Sequence, residues 1–157
     1  INWTLGPADS GPKSLLRMDS DNDGLPDRWE AEHALPYNQP GDDLLDTDRD
    51  CMNNVAEYYA GTNPNDSNSF FRLEIDVGQS VPKVSFDSVQ TDGVAGYEGL
   101  HRFYSLEYSP SLTPTAFEAY PDAADLDATG NRITVTNSSV ADQQFFKANV
   151  SLVPVSE

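Results

Sequence analysis

The chain has 157 residues, room for one ordinary domain or two small ones, and sets 26 acids against 9 Lys plus Arg, a formal charge of −17. Phosphate backbones and anionic membrane surfaces are bound by clustered Lys and Arg, so neither nucleic acid nor a membrane surface fits as partner. Cation binding and high solubility do fit. There is no apolar run long enough to span a membrane, so no membrane insertion is expected. The single cysteine, Cys51, rules out an internal disulfide.

In chain order, residues 1–17 read as an irregular N-terminal tail or linker holding Trp3, with no charged-then-apolar leader pattern. They suit an internal stretch of a longer chain or a mature start. Residues 18–68 form a different unit: between 19 and 66 lie thirteen acids and only two cations, Arg28 and Arg49. Two short helices are predicted there, LPDRWEAEHAL (25–35), cut short by Pro36, and NNVAEYYAG (53–61). From 69 to 157 the texture becomes short alternating runs. FFRLEIDV (70–77), PKVSFDSV (82–89), HRFYSLEYS (101–109), RITVTN (132–137) and QQFFKANVSLV (143–153) predict half-buried antiparallel strands, with a weaker one near TAFEAY (115–120). Turn signals at DG (92–93), YSPSLTP (108–114) and TGN (129–131) separate them. The expected fold is mainly β: an antiparallel β-sandwich preceded by a small calcium-loop cassette with two short helices.

The calcium expectation comes from DSDNDGLPDRWE (19–30), whose acids fall at offsets 1, 3, 5, 9 and 12 with glycine at 6. Those are the ligand offsets of a twelve-residue EF-hand-type loop, which gives Asp19, Asp21, Asp23, the Leu25 carbonyl, Asp27 and Glu30. Gly24 supplies the positive φ that the sharp mid-loop turn needs. Glu30, the longest of the acids, can reach back with both oxygens. A second loop, DTDRDCMNNVAE (46–57), assigns Asp46, Asp48, Asp50, the Met52 carbonyl, Asn54 and Glu57. It departs from the pattern at offset 6, where Cys51 replaces glycine. Two calcium ions are expected, the second bound more weakly because Asn54 is neutral. Cys51 is no candidate nucleophile, since a ring of carboxylates raises a thiol's pKa.

The two loops, followed by YYAGTNPNDSNSFF, resemble the thrombospondin type 3 repeat group, and more closely the paired "DGLPDxWE … NxxEYxxGTxPxD" cassette found near the C-termini of large secreted bacterial proteins. The resemblance covers residues 19 to about 70. It implies calcium loops that brace the join to a following β-domain, and it adds Asn63 and Asp66 as extra ligands or turn caps. Beyond residue 70 the chain looks like the small β-sandwich that often follows such a cassette. Dockerins carry similar paired loops but need no appended β-domain.

No catalytic set is present. His33 and His101 have no adjacent nucleophile motif, and the carboxylate spacing is that of metal ligands rather than of a glycosidase pair. The chain is therefore expected not to be an enzyme. Asp122, Asp125 and Asp127 lack the loop spacing and read as a polar loop. Two purposes remain open. One is an accessory module binding a polysaccharide through Tyr97, His101, Arg102, Tyr104 and Tyr120, aromatic and polar groups of the kind that meet sugar rings. The other is a calcium-stiffened spacer or protein-interaction domain. Either is expected to be monomeric, secreted or cell-surface, and part of a larger secreted chain, where millimolar calcium fills even weak sites.

Overall fold

The computed structural model describes residues 2–5, 17–78, 81–112, 117–136 and 144–155. In chain order these form β1 (Asn2–Leu5), α1 (Asp27–Glu32), a 3-10 turn (Asp42–Leu44), α2 (Asn54–Ala60), β2 (Glu74–Asp76), β3 (Lys83–Asp87), β4 (Leu100–Ser109), β5 (Glu118–Ala119), β6 (Leu126–Asp127), β7 (Arg132–Thr136) and β8 (Phe145–Pro154). No helix among the described residues is long and apolar enough to cross a membrane.

The strands make the expected two-sheet sandwich. One sheet runs β1-β8-β4-β5, with β6 also on β4, and the other runs β2-β3-β7. The spine of the first sheet is the ten-residue antiparallel pairing of β4 with β8, from Leu100 opposite Pro154 to Ser109 opposite Phe145. Alternation decides the faces: Tyr104 and Leu106 of β4 and Ala148 and Val150 of β8 point inward to meet Val84 and Phe86 of β3. Residues 2–5, expected as tail, instead add a strand parallel to β8, Asn2 opposite Asn149 through Leu5 opposite Leu152. Four residues are too few to show a period. The strand expected from Phe70 starts only at Glu74; Phe71 and Leu73 pack against the core without joining a ladder.

The cassette is welded to the sandwich by a second core. Leu25, Trp29, Tyr58 and Tyr59 pack with Tyr97, Leu100 and Leu152. Tyr58 and Tyr97 stack with centroids 4.8 Å apart, and each hydroxyl donates across the join: Tyr58 to the Gly96 carbonyl at 3.1 Å, Tyr97 to the Tyr58 carbonyl at 2.5 Å. Arg28 pairs with Glu98 at the rim.

Arg102 is fully buried at the centre of this join. Its guanidinium donates to the carbonyls of Tyr59 (2.7 Å), Val89 (2.6 Å) and Tyr58 (3.2 Å) and lies over the Tyr97 ring at 4.7 Å. Two of those carbonyls end helix α2, where the helix dipole favours a cation. Gly61 leaves the room: a Cβ there would stand 2.4 Å from Arg102 Nη1.

Candidate metal centre

The two acidic loops share the bonds that set their wind. At offset 1, Asp19 Oδ2 accepts from the Gly24 amide and Asp46 Oδ2 from the Cys51 amide, both at 3.0 Å. At offset 5, Asp23 Oδ1 accepts from the Leu25 amide at 3.0 Å and Asp50 Oδ1 from the Met52 amide at 2.7 Å. The offset-9 amide closes each loop onto the carbonyl ahead of it, Asp27 to Met18 at 2.7 Å and Asn54 to Leu45 at 2.8 Å. Backbone φ is positive at offset 4 (Asn22 61°, Arg49 68°) and at offset 6 (Gly24 99°, Cys51 78°).

Loop two thus takes the wind of loop one even without glycine. The left-handed region costs a side-chain-bearing residue about 1–2 kcal/mol, and Cys51 carries that cost. Cys51→Gly is expected to raise the midpoint of thermal unfolding by a few degrees, on the order of 1 kcal/mol. An unchanged or lower midpoint in a melting experiment would show that Cys51 is not strained.

These turns gather carboxylates. Ligand-capable oxygens of Asp21, Asp23, Glu30 and Asp42 lie within 4.8 Å of one another, as do those of Asp46, Asp48 and Asp50. Glu30 is 0 % and Asp42 2 % exposed, and no hydrogen-bond donor reaches either carboxylate. Buried charge of one sign without a donor or counter-charge is unfavourable, so such a group must hold a proton or a cation. Burial, then the Asp23, Asp42 and Asp21 charges, push Glu30 up to about 8. Asp42 is pushed up to about 6 by burial and by the Asp23 carboxyl. Glu57, beside loop two, is pushed up to about 8 by burial and the Asp48, Asp50 and Asp46 charges, against the Thr62 hydroxyl on its other oxygen. Its Oε2 is buried and has no donor. A set of hard oxygen donors with no nitrogen or sulfur among them suits calcium, which takes six to eight oxygens. Bound there, the ion supplies charge neutralisation and ties the loop ends together.

The expected ligands separate on inspection. Asp21, Asp23 and Glu30 form the first ring, and Asp19 stands beside it, its oxygens taken up by the Asn22 and Gly24 amides. Asp27 lies outside the carboxylate cluster of ring one, and the Asn54 side chain is hydrogen-bonded to neighbouring groups. The offset-2 residue holds each: Ser20 donates its amide and hydroxyl to Asp27, both at 2.7 Å, and the Thr47 hydroxyl donates to Asn54 Oδ1 at 2.9 Å. Offset 9 thus braces each loop. Leu25 and Met52 turn their side chains into the protein beneath the loops.

Asp42 lies outside both twelve-residue patterns, in the 3-10 turn between them, and no spacing rule points to it. The only trace in the sequence is the acidic pair Asp42–Asp43 after Gly41. Asn63 and Asp66 are turn caps, accepting from the amides of Asn65 at 3.1 Å and Asn68 at 3.1 Å.

The structure places four of the five expected glycan-contact residues inside the protein. Tyr97, Arg102, Tyr104 and Tyr120 are all buried. Tyr104 and Arg102 share the inward parity of β4, Tyr97 is stacked in the join, and the Tyr120 hydroxyl donates to the Thr136 carbonyl at 2.8 Å. His101 alone is part-exposed, paired with Asp127 and 4.7 Å from the Phe103 ring.

The chain matches none of the curated proteins and none of the solved structures compared with it. Residues 19–33 match the family model of the bacterial TSP3 repeat. That match and the buried carboxylate ring single out one and the same loop, residues 19–30, as a calcium-binding repeat of the TSP3 kind.

Proposed function

We propose that this chain is a non-catalytic, calcium-braced structural module of a larger secreted protein, with one ion in each loop. The observation that carries the reading is the join. Glu30 faces the first carboxylate ring while its neighbour Trp29 is buried against the sandwich, and Glu57 stands beside the second ring while Tyr58 is buried there. An ion that fixes either glutamate therefore fixes the aromatic next to it, and with it the angle between cassette and sheets. Burial of Tyr97, Arg102, Tyr104 and Tyr120 argues for this brace and against a polysaccharide ligand, which would need those side chains at the surface. The two histidines are engaged, His33 Nδ1 with the Trp29 carbonyl at 2.8 Å and His101 with Asp127, which favours a role without catalysis. The TSP3-type repeat and the fit of modest sites to millimolar extracellular calcium favour secretion, as a monomeric segment of a longer chain.

Calorimetric titration of the metal-stripped protein with calcium tests this reading. Two ions per chain and a change in Trp29 emission are expected. Absence of heat would end it, and one ion would leave loop two as a brace without metal.

A further inference from the structure

At offset 9 the two loops differ in hydrogen-bonding chemistry, with part-exposed Asp27 in loop one and buried Asn54 in loop two. In loop one, the two oxygens of Asp27 only accept, and both accept from Ser20. In loop two, fully buried Asn54 accepts and donates. Its Oδ1 takes the Thr47 hydroxyl at 2.9 Å, and its Nδ2 donates to the Asp42 carbonyl at 2.8 Å. Its backbone amide donates to the Leu45 carbonyl at 2.8 Å, and the Leu45 amide turns back to the Asp42 carbonyl at 3.0 Å. The side chain and amide of Asn54 thus clamp the whole Asp42–Leu45 turn to loop two. A carboxylate at 54 could not make the bond to Asp42, because an ionised Asp has no donor. Meanwhile the Asp42 carboxylate, buried and without a donor, belongs to the ring of loop one.

One residue therefore has its side chain in site one and its carbonyl in the scaffold of site two. We infer that the two calcium sites are coupled through the Asn54–Asp42 bond, so that filling loop two raises the calcium affinity of loop one. By linkage, filling loop one raises that of loop two by the same factor. This rests on the two-ion reading above. Without its ion, loop two holds Asp46, Asp48 and Asp50 together against their repulsion. It relaxes by loosening, and the Asn54 amide then no longer fixes the Asp42 turn. Loop one is left with a ring in which one carboxylate is no longer held inward. An ion in loop two restores the clamp. Asn54 acts as a positioning residue through its bonds to the Thr47 hydroxyl and the Asp42 carbonyl.

The test is a double-mutant cycle on the whole chain, titrated with calcium. Loop-one affinity is read from Trp29 emission in a Trp3→Phe background. Asp48→Asn/Asp50→Asn disables site two with neutral isosteres, and Asn54→Ala removes the clamp. Disabling site two is expected to weaken loop one about tenfold, within the range usual for coupled sites. Asn54→Ala alone is expected to weaken loop one comparably, and disabling site two in that background to cost loop one nothing more. A merely structural Asn54 would weaken loop two and leave loop one unmoved. Should Asn54→Ala not fold, Asn54→Asp decides: counting charge predicts tighter calcium at both loops, whereas coupling predicts weaker binding at loop one. Loop-one affinity unchanged within about twofold on disabling site two would overturn the coupling while leaving two independent ions in place. No calcium binding by the unaltered chain would overturn the two-ion reading itself.

Discussion

Stripped of calcium, the protein is expected to unfold about 10 °C or more below its midpoint in millimolar calcium, and the Asp23→Ala/Glu30→Ala variant to lose most of the part due to loop one. Two ions, each at roughly ten to a hundred times its dissociation constant, stabilise the folded form by about 3–5 kcal/mol together. For a chain of this size each kcal/mol moves the midpoint by roughly 2–4 °C. The pH dependence carries the sign of the cause. Without metal, folded Glu30 and Glu57 hold their protons up to about 8, whereas unfolded they release them near the ordinary value of about 4.3. Between those limits the folded state binds more protons, so stability in chelator falls as pH rises from about 5 to about 8. With calcium in place of the proton, stability instead rises or stays level over the same window. Melting curves in excess chelator and in calcium, at half-unit pH steps, give both slopes. A metal-free protein that grows more stable toward pH 8 would contradict the buried-carboxylate account.

Arg102→Ala is expected to be the most damaging single substitution in the join, costing about 3–5 kcal/mol in denaturant unfolding. The loss has two parts. A large buried side chain is replaced by a void beside Tyr97, and the Tyr59 and Val89 carbonyls lose the donor shown for them, while Tyr58 keeps only the Tyr97 hydroxyl. Arg102→Lys is expected to recover little, since an ammonium cannot offer a planar fork to three carbonyls set around it. A loss below about 1 kcal/mol for Arg102→Ala would place the guanidinium at the surface, as polysaccharide contact would need.

The first loop was legible because its chemistry is local. Acids at fixed offsets with glycine at six encode a turn and its ligands within twelve residues. The same locality explains what was missed. Asp42 reaches ring one only through the fold of the connecting segment, and the bracing role of Asp27 and Asn54 depends on a hydroxyl at offset 2 that no ligand pattern includes. The sandwich was legible in β3, β4, β7 and β8, where alternation runs long enough to show. It was faint in β5, which falls inside the weaker run at 115–120, and not legible in β1 or β6, strands of two to four residues defined by their partner rather than by their own period. Arg102 is the instructive error. Its parity with Tyr104 and Leu106 places it on the inner face of β4, whereas an arginine in an acidic chain suggests surface chemistry. Three backbone carbonyls and an aromatic ring satisfied it instead.

The shared packing of Trp29, Tyr58 and Tyr59 with Tyr97, Leu100 and Leu152 also limits how this piece can travel between proteins. A cut at residue 68 would strip an aromatic surface bare on one fragment and its apolar socket on the other. A recombination event, or an engineer borrowing the calcium loops as a portable clip, would have to carry the β-sandwich along. The transferable cargo is the cassette together with the sheets that receive it.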